Sequence, residues 1–475
     1  MSAVSHSTGS PDATLASVRS ARPMSMWLDR PRQIDSDRVA RTFDGTTTAD
    51  LVVIGGGLTG LWTAIEAAGR GQQVVVVDGG EIGGGASGRC GGFINASITH
   101  GIAHGHERWP DEMPTIVALQ EALWYDTLDL LHRHGANGVI EPCGKLTVAT
   151  RANHVDSLRA SVDVHLHYGQ SAKFLDRDAV RAEVASPQYL AGVHLGTANG
   201  LCDPARLVAT LADIALAAGV TLVEHVTIEQ LDDDGTGVQA RSSSGSITGR
   251  RVLLATNAYR PLQRRLRRRV IPVYDHVIAT APLDAQQWAD IGWHRRCGVT
   301  DAGNQFHYYR PTPDGRILFG GWDATYHRGG RIDQRFEERS ATHELLARHL
   351  VETFPAIAGV EVTHAWGGPI DTTSRFTPMF GSAMDGKLGW AIGFTGLGVG
   401  SSRFAALAAL DVLDGNVTER SQLSMVRKGP MPFPPEPLRT PVIGLTKRAL
   451  AREDRTGRRG VWLRLLDRFG VGFDT

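Results

Sequence analysis

At 475 residues the chain exceeds the length at which single cores stop growing, so two closely packed domains are expected. Fifty acidic and fifty basic residues balance, which excludes a whole-molecule field that would gather nucleic acid or an anionic membrane and leaves small molecules as the expected partners. Glycine is frequent, 55 residues in clusters rather than in a repeating period, as expected where backbone must turn tightly around a ligand.

Residues 1–45 read as an N-terminal tail, with "MWLDRPR" the one stretch apolar enough to dock. Its Ser- and Ala-rich start, with few acids, is a composition that a mitochondrial transit peptide also shows. Order is expected to begin near Ala49. The periodicity predicts strand 51–55, helix 58–69 and strand 73–78; the apolar runs are solid rather than alternating, as in a parallel sheet covered on both faces. Helices are predicted over 115–135 and 204–218, a strand at "GKLTVAT", and a hairpin followed by a buried strand at 252–256. From about 271 to 335 strands alternate with turn signals such as "TPDG". A helix at 336–353, a strand "GWAIGF", the loop "TGLGVG" and a helix at 401–413 complete the pattern, and "VWLRLLDRF" reads as a short amphipathic helix.

The four cysteines, at 90, 143, 202 and 297, form no CxxC or CxxH pair. Neither a metal site nor a disulfide framework is expected. No run reaches the roughly 18 apolar residues of a membrane-spanning helix, and no secretory signal opens the chain. A cytoplasmic protein is the expectation, and oligomeric state is left open. "RRLRRR" at 264–269 reads as a solvated crossover between domains.

The chemistry is concentrated in "LVVIGGGLTGLWTAIEAAGRGQQVVVVD" at 51–78. Gly55, Gly57 and Gly60 follow a strand and open a helix, with Leu58 and Thr59 between them. The first permits the tight turn, the second lets backbone approach a pyrophosphate, and the third lets helix and strand pack closely. Asp78 ends the second strand, 21 residues after Gly57, where a carboxylate accepts both ribose hydroxyls and repels a 2′-phosphate. The unit therefore reads as dinucleotide-binding, and both NAD and FAD use it. Directly afterwards comes "GGEIGGGASGRCGGF", a second glycine-rich loop without periodicity. An NAD(P)-dependent dehydrogenase would continue there with another helix of the wound sheet, so the loop favours FAD.

The chain resembles the D-amino-acid oxidase-like (DAO) family of FAD-dependent oxidoreductases, and within it the gamma-glutamylputrescine oxidase branch. The nucleotide loop carries the resemblance together with "GASGRCGG", "YYRPTPDGRILFGG", "WGGPIDTTSRFTPMFG" and "GFTGLGVGSS", which span about 50 to 415 in the family's order. It implies an α/β fold (α+β overall), with a glutathione-reductase-like FAD-binding Rossmann domain and an antiparallel-sheet substrate domain. The FAD domain would comprise 46–98, 200–262 and 362–424, the substrate domain 99–199 and 263–361, and 425–475 would be a C-terminal extension.

By the same resemblance Ser87, Arg89, Cys90, Gly91 and Gly92 would lie against the flavin, Val226 would contact adenine through its backbone, and Gly396, Gly398, Val399 and Gly400 would place a helix N-terminus at the flavin's pyrimidine edge. Some relatives attach flavin through a cysteine near position 371, where this chain has "IDTTS", so noncovalent FAD is expected. The implied reaction is hydride transfer from the carbon bearing an amine or amino-acid nitrogen to flavin N5, followed by hydrolysis of the imine. O2 is the first expected electron acceptor and a quinone or other carrier the second; the lysine that oxygen-using relatives of the sarcosine type carry has no counterpart in "GRILFGG". Tyr308, Arg310 and Trp366 are the expected substrate-side residues, with Arg310 as a carboxylate clamp and Arg375 as a second candidate; His307 reads as structural. The rival readings are an NAD(P)-dependent dehydrogenase and a flavin-binding subunit that only carries electrons.

Overall fold

The computed structural model describes residues 10–43, 48–196, 198–259 and 261–472. Val and Ile dominate Thr48–Ile54 and Val74–Val77, and because both strands are covered on two faces their side chains are almost wholly buried. They pair in parallel with each other, with Gly245–Leu254 and with Thr221–Val223. Leu388–Ile392 adds a further parallel strand beside Gly245–Leu254, while Gln230–Asp233, Val238–Ser242 and Met379–Ala383 add antiparallel edges, giving eight strands. Helices Leu58–Ala68, Pro204–Ala217 and Gly398–Asp414 pack together over this sheet. This is the Rossmann-like half.

The second eight-stranded sheet runs in the order Val362–Thr372, Ile271–Thr280, Ile317–Gly321, His307–Pro311, Gly298–Asp301, Lys145–Ala149, Ala191–Leu195, Ala172–Leu175. All neighbours are antiparallel except Gly298–Asp301 with Lys145–Ala149. Alternation sorts its residues: Tyr309, Phe319 and Val299 join Leu346 and Leu350 of helix Ser340–Thr353 in one apolar layer, whereas Tyr308, Thr300 and Thr147 face a cavity against the Rossmann-like half. A small sheet of Phe93–Asn95, Asn199–Cys202 and Ile140–Glu141 bridges the two halves.

Order begins earlier than expected from the sequence. Helix Pro11–Ser17 packs on Ser340–Thr353, and Gly359 and Val362 donate backbone N–H groups to Thr14 Oγ1 and Ser17 Oγ at 2.9 and 2.8 Å. Trp27 is 2% exposed, and its indole donates to Cys90 O at 3.0 Å. The segment is held by single buried anchors, Val18, Met26 and Trp27, which leave no periodic signal. Residues 1–9 and 44–45 of the expected tail, and 46–47 of the expected FAD domain, lie outside the described residues.

At the other end, helix Arg439–Thr456 was not foreseen because Pro441 and Gly444 interrupt its pattern. The short amphipathic helix forms as Val461–Arg468. Trp462 donates to Thr446 Oγ1 at 3.0 Å and Leu463 is buried, but Leu465 and Phe469 are exposed, so only part of the apolar face docks. The arginine run forms a short 3-10 turn, Arg264–Arg268; Arg265, Arg268 and Arg269 donate to the carbonyls of Ser382, Phe433 and Pro430. Among the described residues no helix is long and apolar enough to cross a membrane, and no cluster of His, Cys, Asp and Glu is set to hold a metal.

Candidate functional site

The glycine loop leaves strand Thr48–Ile54 at Gly55, whose φ of +111° is open to glycine and strained for other residues. A Cβ on Gly60 would stand 1.8 Å from Gly55 O, so only glycine lets the helix approach the turn. Helix Leu58–Ala68 then begins at Gly57 with no side-chain cap, and Leu58 N donates to Ser87 Oγ at 3.0 Å, joining the two glycine-rich loops. A Cβ on Gly57 would stand 2.8 Å from Ser87 Oγ. With no acidic residue in its first turn, this helix N-terminus suits a phosphate group.

Asp78 faces this cradle. Its Oδ2 accepts from Gly56 N at 2.6 Å and Oδ1 from Gly80 N at 2.8 Å. Burial pushes the carboxyl above its usual range, partly offset by those two bonds. Each oxygen keeps a second lone pair, so the residue both shapes the loop and remains able to accept from a ribose. Val226 continues the wall on the same side.

The second loop is held by the antiparallel sheet. A Cβ on Gly91 would stand 2.6 Å from Tyr308 Cε2, and one on Gly92, where φ is +72°, 2.4 Å from Cys202 O. Arg89 forms an ion pair with Glu337 at 2.5 Å, while its carbonyl accepts from Trp366 Nε1 at 2.9 Å. Burial pushes the Cys90 thiol up, which keeps it protonated at neutral pH.

Opposite, Asp371 Oδ2 accepts from Gly393 N at 2.5 Å, and its carbonyl O accepts from Thr395 N at 3.0 Å. These bonds shape residues 393–397, including Gly396 at φ +88°, so that helix Gly398–Asp414 opens toward the cavity. Burial pushes Asp371 up to about 7. Gly400 lies behind the wall; its Cβ would stand 1.9 Å from Asn95 O, which makes it a packing glycine like Gly60.

The two loops, Asp78 and the start of helix Gly398–Asp414 border one cavity of about 2360 Å³, larger than the roughly 300–1,000 Å³ of an ordinary ligand pocket. Gly55, Gly57, Leu58, Thr59, Asp78, Ser87, Arg89, Cys90, Gly91, Gly92, Val226, Gly396, Gly398 and Val399 all reach its surface, as do Tyr308 and Trp366. Two helix N-termini, an acid at the end of the second strand and a sheet face carrying Tyr308 and Trp366 form a lining that fits FAD.

Arg310 does not reach the cavity, which corrects its assignment as a carboxylate clamp. It shares a sheet face with Tyr308 but is 2% exposed, donating to Cys202 O at 2.6 Å, Gly92 O at 3.1 Å and Pro311 O at 3.1 Å, with Trp27 beneath it. The seam between the two halves meets the sheet there, and its carbonyls take the guanidinium. Arg375 is likewise buried, bonded to Pro378 O, Met425 O and Lys428 O. His307 bonds to Asp301 at 2.6 Å and His349 at 2.9 Å behind the sheet.

Two cavity residues were missed in the sequence. Asp275 Oδ2 accepts from the Tyr308 hydroxyl at 2.7 Å; burial pushes this carboxyl up to about 6, with the Tyr308 bond opposing. A lone acid inside the apolar strand "VIPVYDHVIAT" was the available signal. Lys145 is the other, in a strand that was foreseen. The C-terminal extension also contributes: Asp454 Oδ1 and Oδ2 accept from Asn304 N at 2.9 Å and Gln305 N at 2.8 Å, placing helix Arg439–Thr456 along the far end of the cavity.

Residues 50–411 match the family described as DAO, FAD dependent oxidoreductase. Gamma-glutamylputrescine oxidoreductase of Escherichia coli is 28% identical over 423 residues, covering 88% of this chain and 95% of that protein. A probable oxidoreductase, OrdL, of Rhizobium meliloti is 29% identical over 401 residues, 81% of this chain and 87% of its own. Among solved structures, glycine oxidase from Geobacillus kaustophilus superposes with a TM-score of 0.62 at 21% identity, covering 78% of this chain and 96% of that one. L-proline dehydrogenase from P. horikoshii gives 0.63 at 19%, with 78% and 95% covered.

Proposed function

This chain belongs to the DAO family of FAD-dependent oxidoreductases, and from that premise we propose that it oxidises the C–N bond of an amine or amino acid, with FAD held noncovalently and O2 as the terminal electron acceptor. The single observation that carries the substrate-side reading is the Tyr308–Asp275 pair inside the cavity, beside Gly91 and on the same sheet face as Trp366. Bound FAD supplies the acceptor for the hydride that leaves the carbon bearing the amine.

The protein's own groups would do the remaining work. Tyr308 and Trp366, in one row on the cavity face of the sheet, give an apolar, aromatic floor that orients the substrate and limits water. A substrate arriving as an ammonium ion must lose one proton before its carbon gives up a hydride. Asp275, with its carboxyl near 6, is ionised at neutral pH and takes that proton. Tyr308, whose phenol burial and Asp275 hold well above its ordinary range, keeps its proton and orients Asp275. Loss of one proton and a hydride from the ammonium ion leaves an iminium ion, which water converts to a carbonyl compound and a protonated amine or ammonium ion. Noncovalent attachment is supported by Cys90, the one cysteine of the cavity wall among the described residues, whose thiol stays protonated.

Aerobic turnover of an amine panel, with carbonyl products trapped and peroxide measured, tests this reading. Equal amounts of carbonyl and peroxide are expected. Carbonyl without peroxide would remove O2 as acceptor, and no carbonyl from any amine would overturn the C–N assignment.

A further inference from the structure

Among the described residues, Lys145 is a cavity-lining cation whose ammonium makes no hydrogen bond or ion pair to the protein. It opens strand Lys145–Ala149, and only burial acts on its ammonium, lowering it to about 8. Lys447, the other lysine of the wall, is paired with Asp323. The titratable neighbours of Lys145 are His100, held near 4, and His165, also lowered, so both are neutral at pH 7 and neither supplies a counter-charge. A partly buried ammonium without an anion is costly, and the cost is relieved when a ligand brings one.

Sheet register fixes where that anion would sit. Tyr308 lies opposite Thr300, Thr300 opposite Thr147, and Lys145 is two residues before Thr147 on the same face. Two strand spacings and two residues of rise put the Lys145 and Tyr308 Cα atoms about 12 Å apart. One positive charge flanked by neutral imidazoles matches a monoanion better than a phosphate dianion.

We propose that Lys145 binds the carboxylate of an elongated substrate whose oxidised amine lies at Tyr308 and Asp275, the two substrate groups standing on the order of 10 Å apart. This rests on the amine-oxidising reading above. It makes the preferred substrates long aminocarboxylates rather than short α-amino acids, and it gives the carboxylate-recognition role to Lys145 in place of Arg310.

The test uses the FAD-loaded protein and its Lys145→Met and Lys145→Arg variants. Anaerobic flavin reduction is followed with unbranched ω-aminocarboxylates of increasing length and with the methylamide of each. For Lys145→Met, the dissociation constants of the longer carboxylates are expected to rise roughly 10- to 100-fold, with the limiting reduction rate, the methylamide series and the FAD content unchanged. Lys145→Arg should restore most of the affinity. Equal losses in both series, no loss in either, or loss of FAD would overturn the proposal. Calorimetric binding of an unbranched dicarboxylate to the oxidised protein separates this claim from the amine reading. Binding that disappears in Lys145→Met sustains the subsite even if no amine reduces the flavin, and equal binding, or none, in both proteins removes it.

Discussion

The Tyr308 hydroxyl donates to Asp275 Oδ2 at 2.7 Å, joining the only acid of strand Ile271–Thr280 to the aromatic ring that packs against Gly91. The rate of flavin reduction should therefore fall as pH drops through about 6, where Asp275 gains a proton and no longer accepts one. Asp275→Asn should abolish that limb and slow reduction by about 10²–10⁴-fold. Because the tyrosine bond lowers the Asp275 pKa, Tyr308→Phe should move the limb to higher pH. Stopped-flow reduction across pH measures both effects, and an unmoved limb in both variants would remove the pair from proton transfer.

Arg310 holds the seam between the halves rather than a substrate. Arg310→Met removes the guanidinium that Cys202 O and Gly92 O accept from, although Gly92 O keeps its bond from Cys202 N, and should cost about 2–4 kcal/mol in chemical denaturation. The ratio of efficiencies for carboxylated and uncharged amines should stay unchanged. A selective loss of carboxylated substrates would restore the clamp role.

The two glycines of the nucleotide loop should respond differently. Gly57→Leu fills the cradle beside Ser87, and the purified protein should lack FAD while remaining folded. Gly60→Ala drives a Cβ against Gly55 O and should lower stability by about 1–3 kcal/mol. The flavin-to-protein absorbance ratio and a melting curve separate these outcomes.

Asp371 holds the loop before helix Gly398–Asp414 with its carboxyl raised to about 7. Since its folded pKa exceeds the unfolded one, it favours the fold below about pH 4, and that contribution is lost as pH rises through about 7. Asp371→Asn imitates the protonated form and should remove this slope at a cost under about 1 kcal/mol, whereas Asp371→Ala leaves Gly393 N unsatisfied and should cost about 1–3 kcal/mol. Urea denaturation of the FAD-free protein on both sides of neutrality measures this.

Local chemistry made the nucleotide half legible. Gly55, Gly57, Gly60 and Asp78 act within one short unit, so spacing alone carries their meaning, and the solid apolar runs announced a parallel sheet. Strand alternation puts Tyr308 and Arg310 on one face, opposite His307 and Tyr309. It was silent on what crosses that face, and the Gly92 and Cys202 carbonyls that bury Arg310 come from chain more than a hundred residues away. Lys145 stood in a foreseen strand, but its lack of a counter-charge is a property of the assembled cavity. Helix Arg439–Thr456 was hidden by Pro441 and Gly444, and the docked N-terminal segment by anchors as isolated as Trp27.

The visible spectrum of the purified protein during anaerobic addition of amines tests the central claim most directly. A flavin spectrum that bleaches with an amine or amino acid, and returns when air is admitted, is the result expected. A yellow protein that no amine bleaches, or a colourless one that takes up no FAD, would contradict it.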